Sequence, residues 1–283
     1  MEEKIEKLRN AINCNSNFSE AFKKNIGTLT DLIVTVFPNF DYSNMEGILS
    51  TLRVDSNGEM EEYSSYDRDT NTLNLNTDRI FDDMIDIQHL FLGEILKSST
   101  TTTIGYEGFK EGVTESMCTV MNEDSSLKKI KPLEHRLISV FSYIVDPTIL
   151  TSSYMNGSVV DVIAHLDTLG ISKQEFDGLA KSLNELHTSN TAFTDAEVQM
   201  IDMYRKVISN KMNNGELEVS DASKKFADFS TSLIYSRSEL ICMYPQHNFS
   251  NMTGFDNVEK ALAEAVKNLE NQEEILDVSA PTK

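Results

Sequence analysis

Basic residues are scarce in this sequence, where 25 lysines and arginines stand against 45 aspartates and glutamates among 283 residues. The formal net charge is −20, and the basic residues are scattered along the chain. Nucleic acids and anionic membrane surfaces are bound through positively charged surfaces. We therefore expect no nucleic-acid partner and no membrane partner for this chain.

Cysteine and long apolar runs are scarce as well. Cys14, Cys118 and Cys242 are far apart and form no C-x-x-C pair, which argues against a disulfide framework and a cysteine zinc site. The longest apolar runs, such as DLIVTVF, are far shorter than a membrane-spanning helix, and the charged start MEEKIEKLRN lacks the apolar run of a signal peptide. We expect a cytoplasmic protein, encoded by a bacterium or a phage.

The sequence is rich in helical periodicity. Hydrophobic residues make up 40 % of the chain, which suffices for a core, and they recur at helical spacing through most of it. The exception is residues 59–80, where alternation from Thr72 to Leu75 and turn residues from Asp67 to Asn71 predict a hairpin. We therefore predict an α+β fold that is mostly α-helical, with a small β-sheet or hairpin and a helical C-terminal half.

The chain shows no internal repeat and no low-complexity linker, so we predict one unit with four regions. Residues 1–57 form an N-terminal helical region, whose third helix covers residues 41–54. Residues 58–125 form a core with the hairpin and two helices, and residues 126–271 form a C-terminal helical region packed on that core. Residues 272–283 form a flexible tail.

One helix of the core, predicted over residues 81–99, contains the fragment Gly93-Glu94-Ile95-Leu96-Lys97. This fragment has the frame of the zinc motif H-E-x-x-H, in which two histidines one turn apart hold the metal and the glutamate polarises its water. Downstream, IGYEGFKEGVTES resembles the N-E-G-x-T-E run that carries the glutamate ligand of gluzincins. With YDRDTNTLNLN before them and YMNGSVVDVIAHL after them, these motifs make residues 20–170 resemble the zincin-like metallopeptidase superfamily, gluzincin type.

The resemblance implies a role for each position of the former zinc site. Gly93 and Lys97 stand where the two histidines would be, and Glu94 is the remnant of the catalytic glutamate. Glu111 is the ligand-equivalent glutamate, although Lys110 replaces the usual asparagine before it. The candidates for the lining of the former cleft are His89, Tyr106, Glu115 and Tyr154, although the expected role is core or rim packing for the two tyrosines and an ordinary structural one for His89.

The two replacements remove zinc chemistry from this site. Glycine has no side-chain ligand, and a protonated lysine has no lone pair to offer. A catalytic zinc needs three protein ligands, so we expect no zinc and no other cofactor. A shift by one turn does not restore the site, because the i+4 partner of His89 is again Gly93. We expect Lys97 to form a salt bridge with Glu94 or Glu111 instead.

The resemblance leaves three functions open. The leading prediction is a catalytically inactive metallopeptidase-like protein that serves as a protein-binding or scaffold module for another protein. The first alternative is a metal-dependent hydrolase or peptidase whose non-standard site uses His89, Glu94, Glu111 and Glu115. The second is a helical structural subunit of a larger assembly, in which G-E-x-x-K is an ordinary helix fragment with a favourable Glu–Lys pair.

Overall fold

The computed structural model is mostly helical with one small sheet, which confirms the predicted α+β class at that level. It describes residues 1–100, 104–121, 130–243 and 252–279, with side chains as far as residue 272. None of the helices in these ranges is both long and apolar enough to cross a bilayer. In chain order the elements are α1 (Glu2–Cys14), α2 (Glu20–Val36), α3 (Ser43–Thr51), β1 (Arg53–Ser56), β2 (Ser64–Asp67), β3 (Thr72–Leu75), α4 (Thr77–Asp82), α5 (Ile87–Ser99), α6 (Glu107–Met121), α7 (Pro132–Phe141), α8 (Pro147–Met155), α9 (Val160–Thr168), α10 (Lys173–Asn184), α11 (Ala192–Asn213), α12 (Val219–Met243) and α13 (Phe255–Ser279).

The chain divides into two compact units. Each unit is assembled from three separate segments, whereas the sequence predicted continuous regions with borders at residues 57, 125 and 271. Helices α6 and α8 contribute residues to both units, so neighbours in sequence do not all belong to one unit. Unit 1 consists of Met1–Thr102, Val113–Lys131 and Thr151–Ser158, and unit 2 consists of Thr103–Gly112, Pro132–Leu150 and Val159–Lys283.

Unit 1 contains the three-stranded sheet, in which β3 is the central strand. β2 pairs with β3 in antiparallel orientation, with Tyr66 opposite Leu73, so the predicted hairpin is present. β1 lies parallel to β3 on its other side, with Val54 opposite Leu73. The sheet therefore has one strand more than the hairpin that the alternating pattern predicted.

The predicted third helix is shorter than expected, because a strand follows it. α3 ends at Thr51, where the backbone of Leu52 leaves helical geometry with a ψ of 134°. The N–H of Arg53 then donates to Asn71 O at 3.0 Å, which starts the pairing of β1 with β3. The prediction of a helix as far as residue 54 is therefore wrong at its C-terminal end.

The single helix predicted over residues 81–99 is also wrong, because two helices share this stretch. α4 ends at Asp82. Met84 then adopts a left-handed backbone with a φ of 57°, which no helix can accommodate in its interior. α5 begins at Ile87, and the side chain of Asp86 caps its N-terminus.

The apolar stripe of α5 is buried in unit 1 except at its first residue. Leu90, Phe91 and Ile95 are buried, and the ring of Phe91 meets that of Phe22 edge to face with centroids 5.4 Å apart. Ile87 is 37 % exposed. The helical spacing therefore identified the buried face of α5 correctly from its second position onward.

Unit 2 is a helical assembly in which α11 packs against α10, α12 and α13. Phe109, Phe141 and Phe176 form an aromatic cluster in its core, with ring centroids 5.5 to 6.2 Å apart. The second half of α12 contributes Arg237, whose buried guanidinium donates a hydrogen bond to the side chain of Glu197 of α11. These contacts give the helical C-terminal half that the sequence predicted.

Two glycines of α6 allow close helix contacts within unit 2. A Cβ on Gly108 would lie 2.5 Å from the Leu183 carbonyl of α10. A Cβ on Gly112 would lie 2.4 Å from Ile138 Cγ1 and 2.7 Å from Glu134 O, both on α7. Because real Cβ atoms do not approach other atoms so closely, larger residues at these positions would force the helices apart.

A helix continues past residue 272, where the sequence predicted a flexible tail. α13 runs as far as Ser279. The side-chain amide of Gln272 donates to Ser209 O at 3.1 Å and to Asn213 Oδ1 at 2.7 Å, which attaches α13 to α11. The last four residues of the predicted tail, 280–283, lie outside the described residues.

Candidate functional site

The motif helix α5 turns Gly93 toward α6 within unit 1. His89, Gly93 and Lys97 lie at i, i+4 and i+8, so they share one side of the helix. A Cβ on Gly93 would lie 3.7 Å from Cys118 Sγ and 3.8 Å from Thr114 Cγ2, both on α6. These are ordinary van der Waals distances, so a methyl group fits, but an imidazole ring would have to displace its neighbours. The position that the resemblance assigns to a zinc ligand is therefore a helix–helix contact.

His89 forms a buried pair with Glu115 of α6. Its Nε2 lies 2.9 Å from Glu115 Oε1, and both side chains are almost fully buried. A proton on Nε2 makes the imidazole the donor, because a carboxylate oxygen only accepts. The same Oε1 also accepts the backbone N–H of Ile130 at 3.1 Å. The structure thus brings together two residues assigned to the former cleft, but it uses them to join α5 to α6.

Glu94 is held by two donors from within unit 1. Lys97 Nζ donates to its Oε1 at 2.8 Å, and Ser64 Oγ of β2 donates to the same oxygen at 2.9 Å. The salt bridge expected of Lys97 is therefore present, and its partner is Glu94. Because i, i+3 pairs of this kind also form in ordinary helices, the more specific contact is that of Ser64, which ties α5 to the sheet.

Tyr154 is a buried residue of unit 1. Its hydroxyl accepts a hydrogen bond from Thr114 Oγ1 at 2.9 Å. Thr114 is also the residue whose methyl group lies beside Gly93. Tyr154 therefore belongs to the packed surroundings of the α5–α6 contact.

Tyr106 and Glu111 belong to unit 2. The hydroxyl of Tyr106 donates to Asp177, and Lys173 Nζ lies 3.5 Å from the same hydroxyl. Burial raises the pKa of Tyr106 above its ordinary value, and the hydrogen bond to Asp177 adds to the rise. Glu111 is half-buried on the first turns of α6. Both residues therefore belong to a different compact unit from Gly93.

No three side chains of histidine, cysteine, aspartate or glutamate are grouped to hold a metal ion within the described part of the chain. His89 and Glu115 supply two such groups, whereas a catalytic zinc needs three protein ligands. The chemistry that the arrangement supports is charge neutralisation inside the protein. The ammonium of Lys97 balances the negative charge of Glu94, and Glu115 accepts hydrogen bonds from His89 and from a backbone amide.

Sequence reasoning missed Ser64, Thr114 and Cys118 as parts of this arrangement. Ser64 lies on the predicted hairpin, but only the packing of β2 against α5 makes it a partner of Glu94. Thr114 and Cys118 are four residues apart, and such spacing of small side chains on one helix face is the signal that could have indicated close packing against Gly93.

No protein-family model, curated protein or solved structure matches this chain. The resemblance to the zincin-like superfamily therefore rests on the sequence motifs alone and stays a prediction.

Proposed function

We propose that the chain is a catalytically inactive metallopeptidase-like protein that acts as a binding or scaffold module for another protein. The observation that carries this proposal is the internal pairing around the motif helix. Glu94 is held by Lys97 and Ser64, and Gly93 packs on α6. Side chains of the protein thus lie beside Gly93 and occupy one oxygen of the Glu94 carboxylate.

Hydrolysis through Glu94 would require a carboxylate free to take a proton from an activated water. Its Oε1 already accepts the ammonium of Lys97 and the hydroxyl of Ser64. Both donors would have to leave before this oxygen could serve a water molecule. Their presence supports a structural role for the remnant glutamate.

Apolar side chains that the fold leaves exposed support the binding part of the proposal. Phe81 and Met84 of unit 1 are each 72 % exposed. The two residues are three positions apart in sequence, and exposed apolar patches at a protein surface are a feature of interaction sites. An inactive protein that retains such a surface has a physical means of contacting a partner.

The rival function, a metal-dependent hydrolase that uses His89, Glu94, Glu111 and Glu115, has less support. His89 and Glu115 bind each other at 2.9 Å, and the backbone N–H of Ile130 donates to the same carboxylate oxygen. A metal at this pair would have to displace these buried hydrogen bonds, which is costly.

Peptide hydrolysis in the presence of added zinc tests the proposed function. We expect the purified chain to release no more product from a mixed peptide library than its Glu94→Gln variant, with or without Zn²⁺. This control is well matched, because the glutamine amide oxygen still accepts from Ser64 while the charge is removed. Zinc-dependent cleavage that Glu94→Gln abolishes would contradict the proposal.

A further inference from the structure

The end of α4, the turn after it and the start of α5 each present one large apolar side chain to solvent. Phe81 and Met84 are each 72 % exposed, and Ile87 is 37 % exposed. The residues follow one another at intervals of three, through a turn in which the N–H of Met84 donates to Phe81 O at 3.2 Å. We name Phe81, Met84 and Ile87 the apolar corner.

Other side chains already anchor this turn in unit 1. Ile80 and Ile85 are buried, and the N–H of Ile85 donates to Ile80 O at 2.9 Å. The turn is thus fixed without the apolar corner, whose exposure to water is unfavourable. Exposed apolar surface that the fold does not need is typical of a contact with another molecule.

The backbone of Met84 adds a second, independent indication. Its φ of 57° lies in the left-handed region, which glycine adopts without steric cost and other residues adopt with strain. A glycine would therefore serve the turn better than a methionine does. Strain of this kind is found at functional positions, and the flexible, polarisable methionine side chain is well suited to contact surfaces.

The stretch of chain that carries the apolar corner is acidic. The stretch from Asp78 to Ile87 contains four aspartates and one basic residue, Arg79, so its local charge is −3. Arg79 is only loosely paired with Asp83, at 3.7 Å. Complementary charge favours a positively charged partner, and an anionic lipid surface would be repelled.

We propose that the apolar corner docks a basic amphipathic helix of a partner protein. The apolar face of that helix would cover Phe81, Met84 and Ile87, while its lysines and arginines would pair with Asp78 and Asp82, the two exposed aspartates of this stretch. Helices recognised in this way present apolar residues at i, i+3, i+4 and i+7 beside a charged face. The inference rests on the proposed binding function and names its surface and the chemical class of its partner.

A synthetic helix provides the test. The probe is a leucine and lysine peptide of about five helical turns, with leucines at amphipathic spacing, and its binding to the full chain is followed by fluorescence anisotropy. We expect the double variant Phe81→Ser/Met84→Ser to bind about tenfold more weakly or worse. The matched control, Tyr235→Ser/Ile241→Ser, removes two exposed apolar side chains from α12 of unit 2 and should change the affinity by less than about twofold.

The variant Met84→Gly separates docking from folding. Glycine relieves the left-handed backbone but removes the contact side chain. We expect it to unfold at the same or a higher temperature than the wild type and to bind the peptide several-fold more weakly. The proposal would be overturned if the wild type and the two variants Phe81→Ser/Met84→Ser and Met84→Gly bound the peptide equally well. It would also be overturned if the α12 control lost as much affinity as these variants, or if the chain bound phosphatidylcholine vesicles more tightly than the peptide.

Two further measurements assign any failure to the right claim. A peptide with glutamate in place of lysine should not bind, and binding as tight as that of the basic peptide would contradict the charge argument. Zinc-dependent hydrolysis is measured on the same preparation. If the peptide does not bind and no hydrolysis is seen, only the proposed docking surface is overturned. If hydrolysis is seen, the proposal of an inactive binding module is overturned, whatever the peptide result.

Discussion

The ammonium of Lys97 lies 2.8 Å from Oε1 of Glu94, one turn earlier on α5, and the two side chains are only 24 % and 12 % exposed. Glu94 therefore has its counter-charge within its own helix. A carboxylate removed from water requires such a partner, which in a zinc peptidase is supplied in part by the metal. In this chain Lys97 supplies it.

Lys97→Met should lower the free energy of unfolding by roughly 1–2 kcal/mol, because it leaves a largely buried carboxylate without its cation. Urea denaturation followed by circular dichroism measures the change. The matched control is Lys181→Met, whose partner Glu185 lies 3.8 Å away at the surface, and it should leave stability nearly unchanged. If Lys97→Met were as stable as the wild type at neutral pH, the pair would not be what neutralises Glu94.

Replacements of Glu115 should separate its hydrogen bonds from its charge. Glu115→Ala leaves His89 and the N–H of Ile130 without their acceptor in a buried site, and we expect a loss of about 2–3 kcal/mol. Glu115→Gln keeps an acceptor oxygen and should cost about 1 kcal/mol or less. Urea denaturation of both variants checks the difference, and equal losses would mean that the negative charge, which both variants remove, is what Glu115 provides.

The helices of the fold were predictable because their signals are local. Periodic apolar residues identify a buried helix face, and turn residues between alternating stretches identify the hairpin. Strand β1 was not predictable, since it has four residues and its partner β3 lies many residues further on. The break before α5 depends on the left-handed backbone of Met84, and nothing in a methionine indicates that conformation.

The contacts of the candidate site also divide into contacts within one helix, which the sequence predicts, and contacts between elements, which it does not. The pairing of Lys97 with Glu94 follows from i, i+3 spacing on one helix, and Glu94 was one of the two partners predicted for Lys97. The contacts from Ser64 to Glu94 and from His89 to Glu115 join separate elements, over 30 and 26 residues of sequence. They depend on how β2, α5 and α6 pack, which spacing within one element does not determine.

Gly112→Ala should destabilise unit 2 by about 1–3 kcal/mol, because its Cβ would lie 2.4 Å from Ile138 Cγ1 and 2.7 Å from Glu134 O. The matched control is Gly27→Ala in α2, where a Cβ meets nothing within 4 Å and should stabilise its helix by about 0.5–1 kcal/mol. Thermal unfolding of the two variants measures both effects. Changes of the same sign would contradict the close approach of α6 to α7.

The buried pair of Glu197 and Arg237 should make stability depend on pH. Burial raises the pKa of Glu197 to about 8, although the guanidinium of Arg237 opposes the rise. Between the ordinary value near 4.5 and about 8, the folded state therefore holds a proton that the unfolded chain has lost. The contribution of this group to stability is complete below the lower value and is lost as the pH rises through the higher one.

Urea midpoints at pH 5, 6.5 and 8 test this dependence. We expect the midpoint to fall with increasing pH in the wild type and to fall less in Glu197→Gln, which has no proton to lose. Glu264→Gln, at an exposed position of α13, is the control and should follow the wild type. A wild-type midpoint that rises over this range would contradict the assigned direction.

The zinc content of the wild-type chain tests the central claim most directly. The chain is purified without chelators, dialysed with a small excess of Zn²⁺ and then against metal-free buffer, and analysed by plasma mass spectrometry. Because Gly93 is packed on α6 and Glu94 is bound to Lys97, we predict a zinc content far below about one ion per chain. About one tightly held zinc ion per chain, lost in Glu94→Gln or His89→Ala, would contradict the account.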